Sequence, residues 1–483
     1  MKVDNTVAYS EKYLRKVENF KVTEEDYKLD FSFPLRELKD RVDYSSLETI
    51  TIDAPNSRDL DDALSCYQLD NGDYCVGVHI TDASFYVPFD SALDKKAREQ
   101  TSSIYLPTET IPMLPEVLSS GRCSLVEGKE RLCLSLTFTI SPSGEVQSYE
   151  MERTVICSSK KLSYEEAQEI IDADTQDSEK KYAQVVLQLH HLANTLRENR
   201  EKRCPLSLDG KKYEPVYDDE KLIEFKETTR ETSRALVQEF MILANVYCAR
   251  WLTKYNSRGV ILRSQGDSAD IAEFQKQCRK GLRLPVDFSS KEKAIKSLEI
   301  IKKKRGEAVL SAVLQLWGKQ RAGSKFVVSD REEEYKHYSL NEDAYCNFTS
   351  PLRRYGDLMT HRQVVETLEC GSHSFSTTTM NNIVDHLNSQ SRKIGSLVRE
   401  VSRLYFAEYL QENPQKATHA VVTHIKECYY TIWIPLFGLS QSVKLTKAKQ
   451  EEMGNLGLLS RCRAKVRANK NKDITKPFIF LCK

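Results

Sequence analysis

The densest chemical signal in the 483-residue sequence is TIDAPNSRDLDDA, Thr51 to Ala63. Asp53, Asp59, Asp61 and Asp62 place four carboxylates within ten residues, at the end of an alternating strand and around a Pro55-Asn56 turn. Only Arg58 stands among them as a cation, so their mutual repulsion is costly wherever the loop is partly buried. A divalent cation relieves that repulsion. Mg²⁺ is the hard, oxygen-seeking ion that combines a few carboxylates with substrate phosphates and water. Two such ions ~3.5–4 Å apart activate a water and stabilise the leaving oxygen of an in-line phosphodiester displacement. The competing reading is a solvated acidic turn with its own Asx caps. A calcium loop fits less well, since no Gly and no distal Glu stand at its spacing.

Far along the chain, Arg353 and Arg354 follow Thr349-Ser350-Pro351, a cap-plus-proline helix start. Unpaired N–H groups and the helix dipole at such a start favour an anion, and guanidinium groups add bidentate phosphate contacts. Surface ion pairing is the alternative for both arginines.

The elements that must carry these residues are legible in outline. From Leu47 the pattern alternates (Ile50, Ile52, Ala63, then Cys75, Val76, Val78, Ile80), with turn signals at Asn71-Gly72 and Pro142-Ser143-Gly144. Residues 163–200 and 219–255 are expected to be helical, the first opened by a capping box of Ser163 and Glu166. A basic helix is expected over Lys296 to Leu310 and another over Pro351 to Leu368. Strands first and helices after predict an α+β fold, a mixed sheet flanked by helices. The sequence Glu412-Asn413-Pro414-Gln415 then breaks the last helix, and β-like alternation returns in THAVVTHIKECYYTIWIPLFGL. Val401 to Lys483 holds 14 Lys and Arg against 6 Asp and Glu, a net +8 that leaves −7 over the rest of the chain. A small, basic OB-like β-barrel is the economical expectation there. The expected domains are an N-terminal extension over 1–45, read as polar chain or a lead-in helix, a catalytic domain over 46–411 and the OB-like domain over 415–483.

Composition narrows the class. The net charge of +1 excludes a wholly basic nucleic-acid coat while leaving room for a local basic channel. No apolar run reaches the ~20 residues of a membrane span, and the N-terminus has no apolar signal core. Thirteen cysteines without a C-x-x-C pair argue against a disulfide framework or a zinc ribbon. Reduced thiols in the cytoplasm are expected, with a nuclear or organellar address left open.

TIDAPNSRDLDDA, followed by VGVHITDASFYV and SIYLPTETIPMLPEVLSSGRCSL, resembles the catalytic RNB domain of the ribonuclease II/R family of exoribonucleases. HYSLNEDAYCNFTSPLRRYGDLMTHRQV resembles the closing motif of the same family, and the match runs in order from about Leu47 to Leu410. The resemblance implies a Mg²⁺-dependent, processive, hydrolytic 3′→5′ exoribonuclease that degrades single-stranded RNA to nucleoside 5′-monophosphates. It implies two Mg²⁺ ions, with Mn²⁺ as a substitute, held by Asp53, Asp59, Asp61 and Asp62, of which Asp61 is the most sensitive. It implies Arg353 at the scissile phosphate, stabilising the transition state. Tyr105 resembles the tyrosine that stacks a terminal base, Glu239 a glutamate that contacts the terminal nucleotide, and Arg354 a second RNA contact. For Glu239 a buried carboxylate bonded to an arginine is the alternative. His79 and Asp82 match the pattern too and are read as architectural, while Arg362 is expected to tie its helix to the acidic loop.

The chain also departs from the family. About 45 residues before the catalytic domain cannot hold the usual cold-shock domains, so a looser grip on RNA and lower processivity are expected. Leu208 stands where many members carry a second base-clamping aromatic, which weakens stacking. The closing domain fits its family pattern loosely, with strands after Leu445 obscure. The rival reading is a catalytically weak RNA-binding protein, or a subunit that works with other RNA-decay proteins. The complete aspartate set and Arg353 favour the enzyme.

Overall fold

The computed structural model describes residues 40–173, 180–203, 212–218, 221–228, 232–256, 259–266, 270–320, 323–329, 335–369, 375–413, 417–454, 456–469 and 477–482. Leu208 and residues 1–39 of the expected N-terminal extension lie outside them.

Nine strands organise the first third of the chain: β1 (Val42–Tyr44), β2 (Thr49–Asp53), β3 (Asp62–Gln68), β4 (Tyr74–Thr81), β5 (Ile104–Tyr105), β6 (Thr110–Ile111), β7 (Glu130–Ile140), β8 (Val146–Cys157) and β9 (Lys160–Ser163). Seven of them form one mixed sheet in the order β1-β8-β7-β4-β3-β2-β9, with β1 and β9 joined in parallel to their neighbours. The turns that the sequence marks are where they were expected: Gly72 (φ +88°) joins β3 to β4 and Gly144 (φ +79°) joins β7 to β8. Both angles are ones that glycine adopts without strain.

One face of the sheet, with Val76, Val78, Ile80, Leu134, Leu136 and Phe138, packs on the helices Lys181–Arg203 and Thr232–Tyr255 through Val186, Leu189, Phe240 and Ala244. The opposite face holds a polar knot in which the buried His79 imidazole lies between the Ser65 and Ser135 hydroxyls, at 2.9 and 2.8 Å. Burial pushes the His79 pKa down to about 4, so the ring is neutral and spans its two serines. Close by, burial opposes ionisation of Asp82, yet the Arg41 guanidinium at 2.6 Å and the Ser84 hydroxyl hold its carboxyl below the usual range. Both residues are architectural.

Helix expectations needed three corrections. The capping box is real, with reciprocal Ser163–Glu166 bonds of 2.7 and 3.0 Å, but residues 221–228 are not helical. Strands Lys212–Asp218 and Lys221–Thr228 form a hairpin instead, and Leu222, Tyr217 and Phe225 pack against the distant Phe406, Leu410 and Phe437. A non-local apolar surface thus decided the conformation of this segment. The basic helix ends at Arg305, where Gly306 (φ +86°) separates Lys291–Arg305 from Glu307–Gln320. The helix expected from Pro351 begins at Tyr355 and ends at Leu368.

The helix Thr377–Glu412, 36 residues and about 54 Å long, touches three cores in succession. Ile383 and Leu387 pack beside Leu358, Leu397 and Val401 pack on Ile104 and Ile111, and Phe406 and Leu410 pack under the C-terminal sheet. That sheet is antiparallel throughout, in the order Leu439–Lys444, Tyr429–Ile434, Thr418–Lys426, Arg461–Arg467, Phe478–Cys482, an open half-barrel of OB-like form. The strands obscure in the sequence after Leu445 are its last two. Among the described residues every cysteine is a free thiol, and no helix is long and apolar enough to cross a membrane.

Candidate active site

The carboxylates sit where β2 ends and β3 begins. Asp53 is the last residue of β2 and Asp62 the first of β3, and the loop between them carries Asp59 and Asp61. β9 runs parallel to β2 with Ser163 opposite Asp53, so Tyr164, at the start of the next helix, is delivered beside the aspartates. A cavity of about 690 Å³ opens there, lined by Asp53, Asp59, Asp61, Asp62, Tyr105, Arg353 and Arg354, with Tyr164, Asn245 and Tyr345.

Asp61 is almost wholly buried and joins the two distant motifs. One oxygen accepts the Leu352 N–H at 2.9 Å and the other the Arg353 Nε at 3.1 Å. Arg353 also reaches the Ser350 hydroxyl at 2.8 Å. Beside it, Asp357 accepts both the Ser350 N–H at 2.8 Å and the Arg354 guanidinium at 2.7 Å. The N–H groups expected to stand unpaired for an anion at this turn are in part already taken: those of Leu352 and Ser350 bond the protein's own Asp61 and Asp357. Arg362 does not reach the acidic loop. It pairs with buried Asp94 at 2.7 Å, as does the Tyr355 hydroxyl at 2.8 Å, anchoring the first turn of that helix.

Burial pushes the Asp61 pKa up to about 7, opposed by Arg353 and the Leu352 N–H. The guanidinium of Arg353 is shifted upwards, because Asp61 and Tyr105 face it. Both values rise but to opposite effect: burial outweighs the partners of the enclosed Asp61 and disfavours its charge, whereas the facing groups outweigh burial at the more open Arg353 and favour its charge. Asp53 and Asp62 are likewise raised, by burial and then by neighbouring aspartates: Asp61 against Asp53, and Asp53 against Asp62. An all-oxygen set of carboxylates that resists ionisation fits a hard divalent cation. Among the described residues no three acidic, imidazole or thiol groups already stand at coordination geometry.

Tyr105 presents a ring 49% exposed on the short hairpin of β5 and β6. That hairpin is tied to the arginine turn by backbone: Ser103 N–H donates to the Arg353 carbonyl at 3.0 Å, Tyr355 N–H donates to the Thr101 carbonyl at 2.9 Å, and Ser102 bridges to Arg354. The structure therefore brings Asp53, Asp59, Asp61, Asp62, Tyr105, Arg353 and Arg354 to one cavity. It does not bring Glu239 there. Glu239 forms a bidentate pair with Arg200 at 2.6 and 2.8 Å and lines an adjoining cavity of about 730 Å³ that shares Ile242 with the first. Sequence reasoning passed over Tyr164, on whose ring the Arg234 guanidinium lies at 4.2 Å. Its signal was the capping box one residue earlier, which gains meaning only once β9 is paired with β2.

The RNB domain family model matches residues 41–369, and the chain belongs to the RNB-domain family, that of the ribonuclease II/R exoribonucleases. It is 31% identical over 447 residues to DIS3-like exonuclease 2 of Xenopus tropicalis, covering 86% of this chain and 52% of that protein. It is 29% identical over 402 residues to ribonuclease R of Escherichia coli, covering 80% and 49%. The chain thus spans about half the length of these curated relatives. Among solved structures, the apo form of Mycoplasma genitalium RNase R superposes with a TM-score of 0.83 at 20% identity, over 99% of this chain and 78% of that one. Yeast Ssd1, described as a pseudonuclease, superposes with a TM-score of 0.70 at 19% identity, over 88% and 52%.

Proposed function

We propose that this chain is a hydrolytic 3′→5′ exoribonuclease that shortens single-stranded RNA and releases nucleoside 5′-monophosphates. The observation that carries the reading is the junction of the two motifs: four aspartates, Arg353 and an exposed tyrosine on one cavity, joined through Asp61. Asp53, Asp59, Asp61 and Asp62 would hold the divalent cations, two Mg²⁺ or Mn²⁺ in their place, whose chemistry is to activate water and neutralise the leaving oxygen. Arg353 and Arg354 face the scissile and neighbouring phosphates, where guanidinium groups stabilise charge that develops in the transition state. Tyr105 offers a π-face to any base, which suits degradation without sequence preference. Glu239, buried at the next cavity with both oxygens paired to Arg200, is read as a structural carboxylate rather than a contact to the terminal nucleotide.

The OB-like domain over 415–483 supplies the approach for RNA. Lys465 lies opposite Phe480 and Arg467 opposite Phe478 across the last two strands, so bases and phosphates meet rings and cations on one face. Phe478 and Phe480 are exposed, and the Arg467 guanidinium lies 5.7 Å from the Phe480 ring centre.

The test is a 5′-labelled, unstructured 30-mer RNA, incubated with Mg²⁺ and either the native chain or Asp61→Asn. The native chain gives a ladder that recedes from the 3′ end to a few nucleotides, chelation stops it, and the variant binds RNA without cutting. Equal degradation of a DNA oligonucleotide would remove RNA as the substrate. A second reading, an RNA-binding protein with the same fold, is favoured by one observation: both Asp61 oxygens already have partners. RNA retained but uncut by native chain and variant alike decides for it.

A further inference from the structure

The loop between β2 and β3 must hold Asp59 in the cavity, yet it has no strand partner of its own. Outside the loop, one side chain brackets this residue. The Ser124 hydroxyl donates to the carbonyl of Arg58 at 2.7 Å and accepts the N–H of Leu60 at 3.1 Å. These are the groups immediately before and after Asp59, so one oxygen uses its donor and an acceptor site to set the peptide planes on either side.

Ser124 is itself fixed. It is 0% exposed, and its neighbours are locked in turn: the Thr81 hydroxyl holds the Cys123 carbonyl at 2.6 Å, and Arg131 Nε holds the Ser124 carbonyl at 2.8 Å. Leu125 N–H closes on the Leu60 carbonyl at 3.1 Å. At the other end of the loop the Lys161 ammonium donates to the carbonyls of Ser57 and Pro55 at 2.8 and 3.4 Å. The loop is therefore shaped by side chains that line none of its cavity.

We propose that Ser124 is the positioning residue for Asp59, setting the direction of its carboxylate toward the divalent cation. This rests on the function proposed above. Removing the hydroxyl leaves the Leu60 N–H and the Arg58 carbonyl without their buried partner, and the two peptide planes that flank Asp59 lose that restraint.

The test compares native chain, Ser124→Ala, Ser124→Thr and the control Ser135→Ala. Ser135 is equally buried, but its hydroxyl serves His79 and Thr154, away from the loop. Two quantities are read: the Mg²⁺ concentration for half-maximal RNA cleavage, and that for half of the Mg²⁺-induced rise in Tm without RNA. Ser124→Ala is expected to raise both by about tenfold or more, the usual cost of removing a group that orients a metal ligand. Ser124→Thr keeps the hydroxyl and is expected to stay within threefold of native, and Ser135→Ala to lower Tm with both values unmoved. Ser124→Cys keeps the volume with a weak donor, and takes the place of the alanine variant if that chain does not fold. Half-saturation unchanged in Ser124→Ala, or in Ser124→Cys in its place, overturns the inference while the function stands. A native chain that neither cuts RNA nor gains Tm with Mg²⁺ overturns both.

Discussion

At the scale of single residues, the site divides by how its parts were encoded. The aspartates and Arg353 were legible because their chemistry is local: charges crowded into ten residues, and arginines after a Thr-Ser-Pro start. Tyr164 and Ser124 were not, because each reaches the site through strand pairing or a loop contact across 60 or more residues. Glu239 shows the opposite limit, since its motif is plain and its side chain still faces another cavity. Arg353 makes two directed bonds, from Nε to Asp61 and from Nη2 to Ser350, and a lysine cannot reproduce both. Arg353→Lys is therefore expected to lower kcat by about 10²–10³-fold with RNA affinity within a few-fold, measured in single-turnover cleavage. Tyr105→Ala removes an exposed ring, so Tm should hold while RNA binding weakens by ~1–3 kcal/mol in a filter or anisotropy titration.

At the scale of elements, the strands around Asp53 and the turns at Gly72 and Gly144 were readable from alternation and turn residues, whereas the sheet order, with β1 and β9 added in parallel, was not. Failures came where distant surfaces decided. The hairpin of Lys212–Asp218 and Lys221–Thr228 is a strand pair because Phe225 meets Phe406, Tyr409 and Phe437. The helix from Tyr355 starts late because the preceding turn is occupied in holding Asp61 and Asp357. The His79 knot in the sheet gives a pH signature. Its pKa is about 4 when folded and near 6.5 when unfolded, so its contribution is complete above pH ~6.5 and is lost as pH falls toward 4. Thermal melts between pH 7 and 4.5 should show a steeper fall for the native chain than for His79→Gln, a difference of roughly 2–3 kcal/mol at the acid end. Parallel curves would show that the ring is not buried neutral.

At the scale of the molecule, the helix Thr377–Glu412 is shared by three cores, and the C-terminal sheet covers its last turns. Ending the chain at Asn413 strips that cover from Phe406, Leu410, Leu222 and Phe225. Such an exposed apolar patch drives association, so the truncated chain is expected in the void volume on size exclusion. The excess of 14 basic over 6 acidic residues from Val401 onward has a measurable counterpart in solution. RNA affinity should fall steeply and linearly in log–log form with salt, and charge-neutral substitutions at Lys465 and Arg467 should flatten that slope by about one each.

The backbone bridge between Ser102 and Arg354 has a geometric consequence. It fastens the backbones from which the Tyr105 ring and the Arg353 guanidinium project to the same pair of peptide ladders, so the distance between those two anchor points is set by main-chain hydrogen bonds. For a polymer gripped by a base at one point and a phosphate at the other, that spacing is a gauge. Under the function proposed above, two main-chain hydrogen bonds hold those two grips at a fixed separation along the strand.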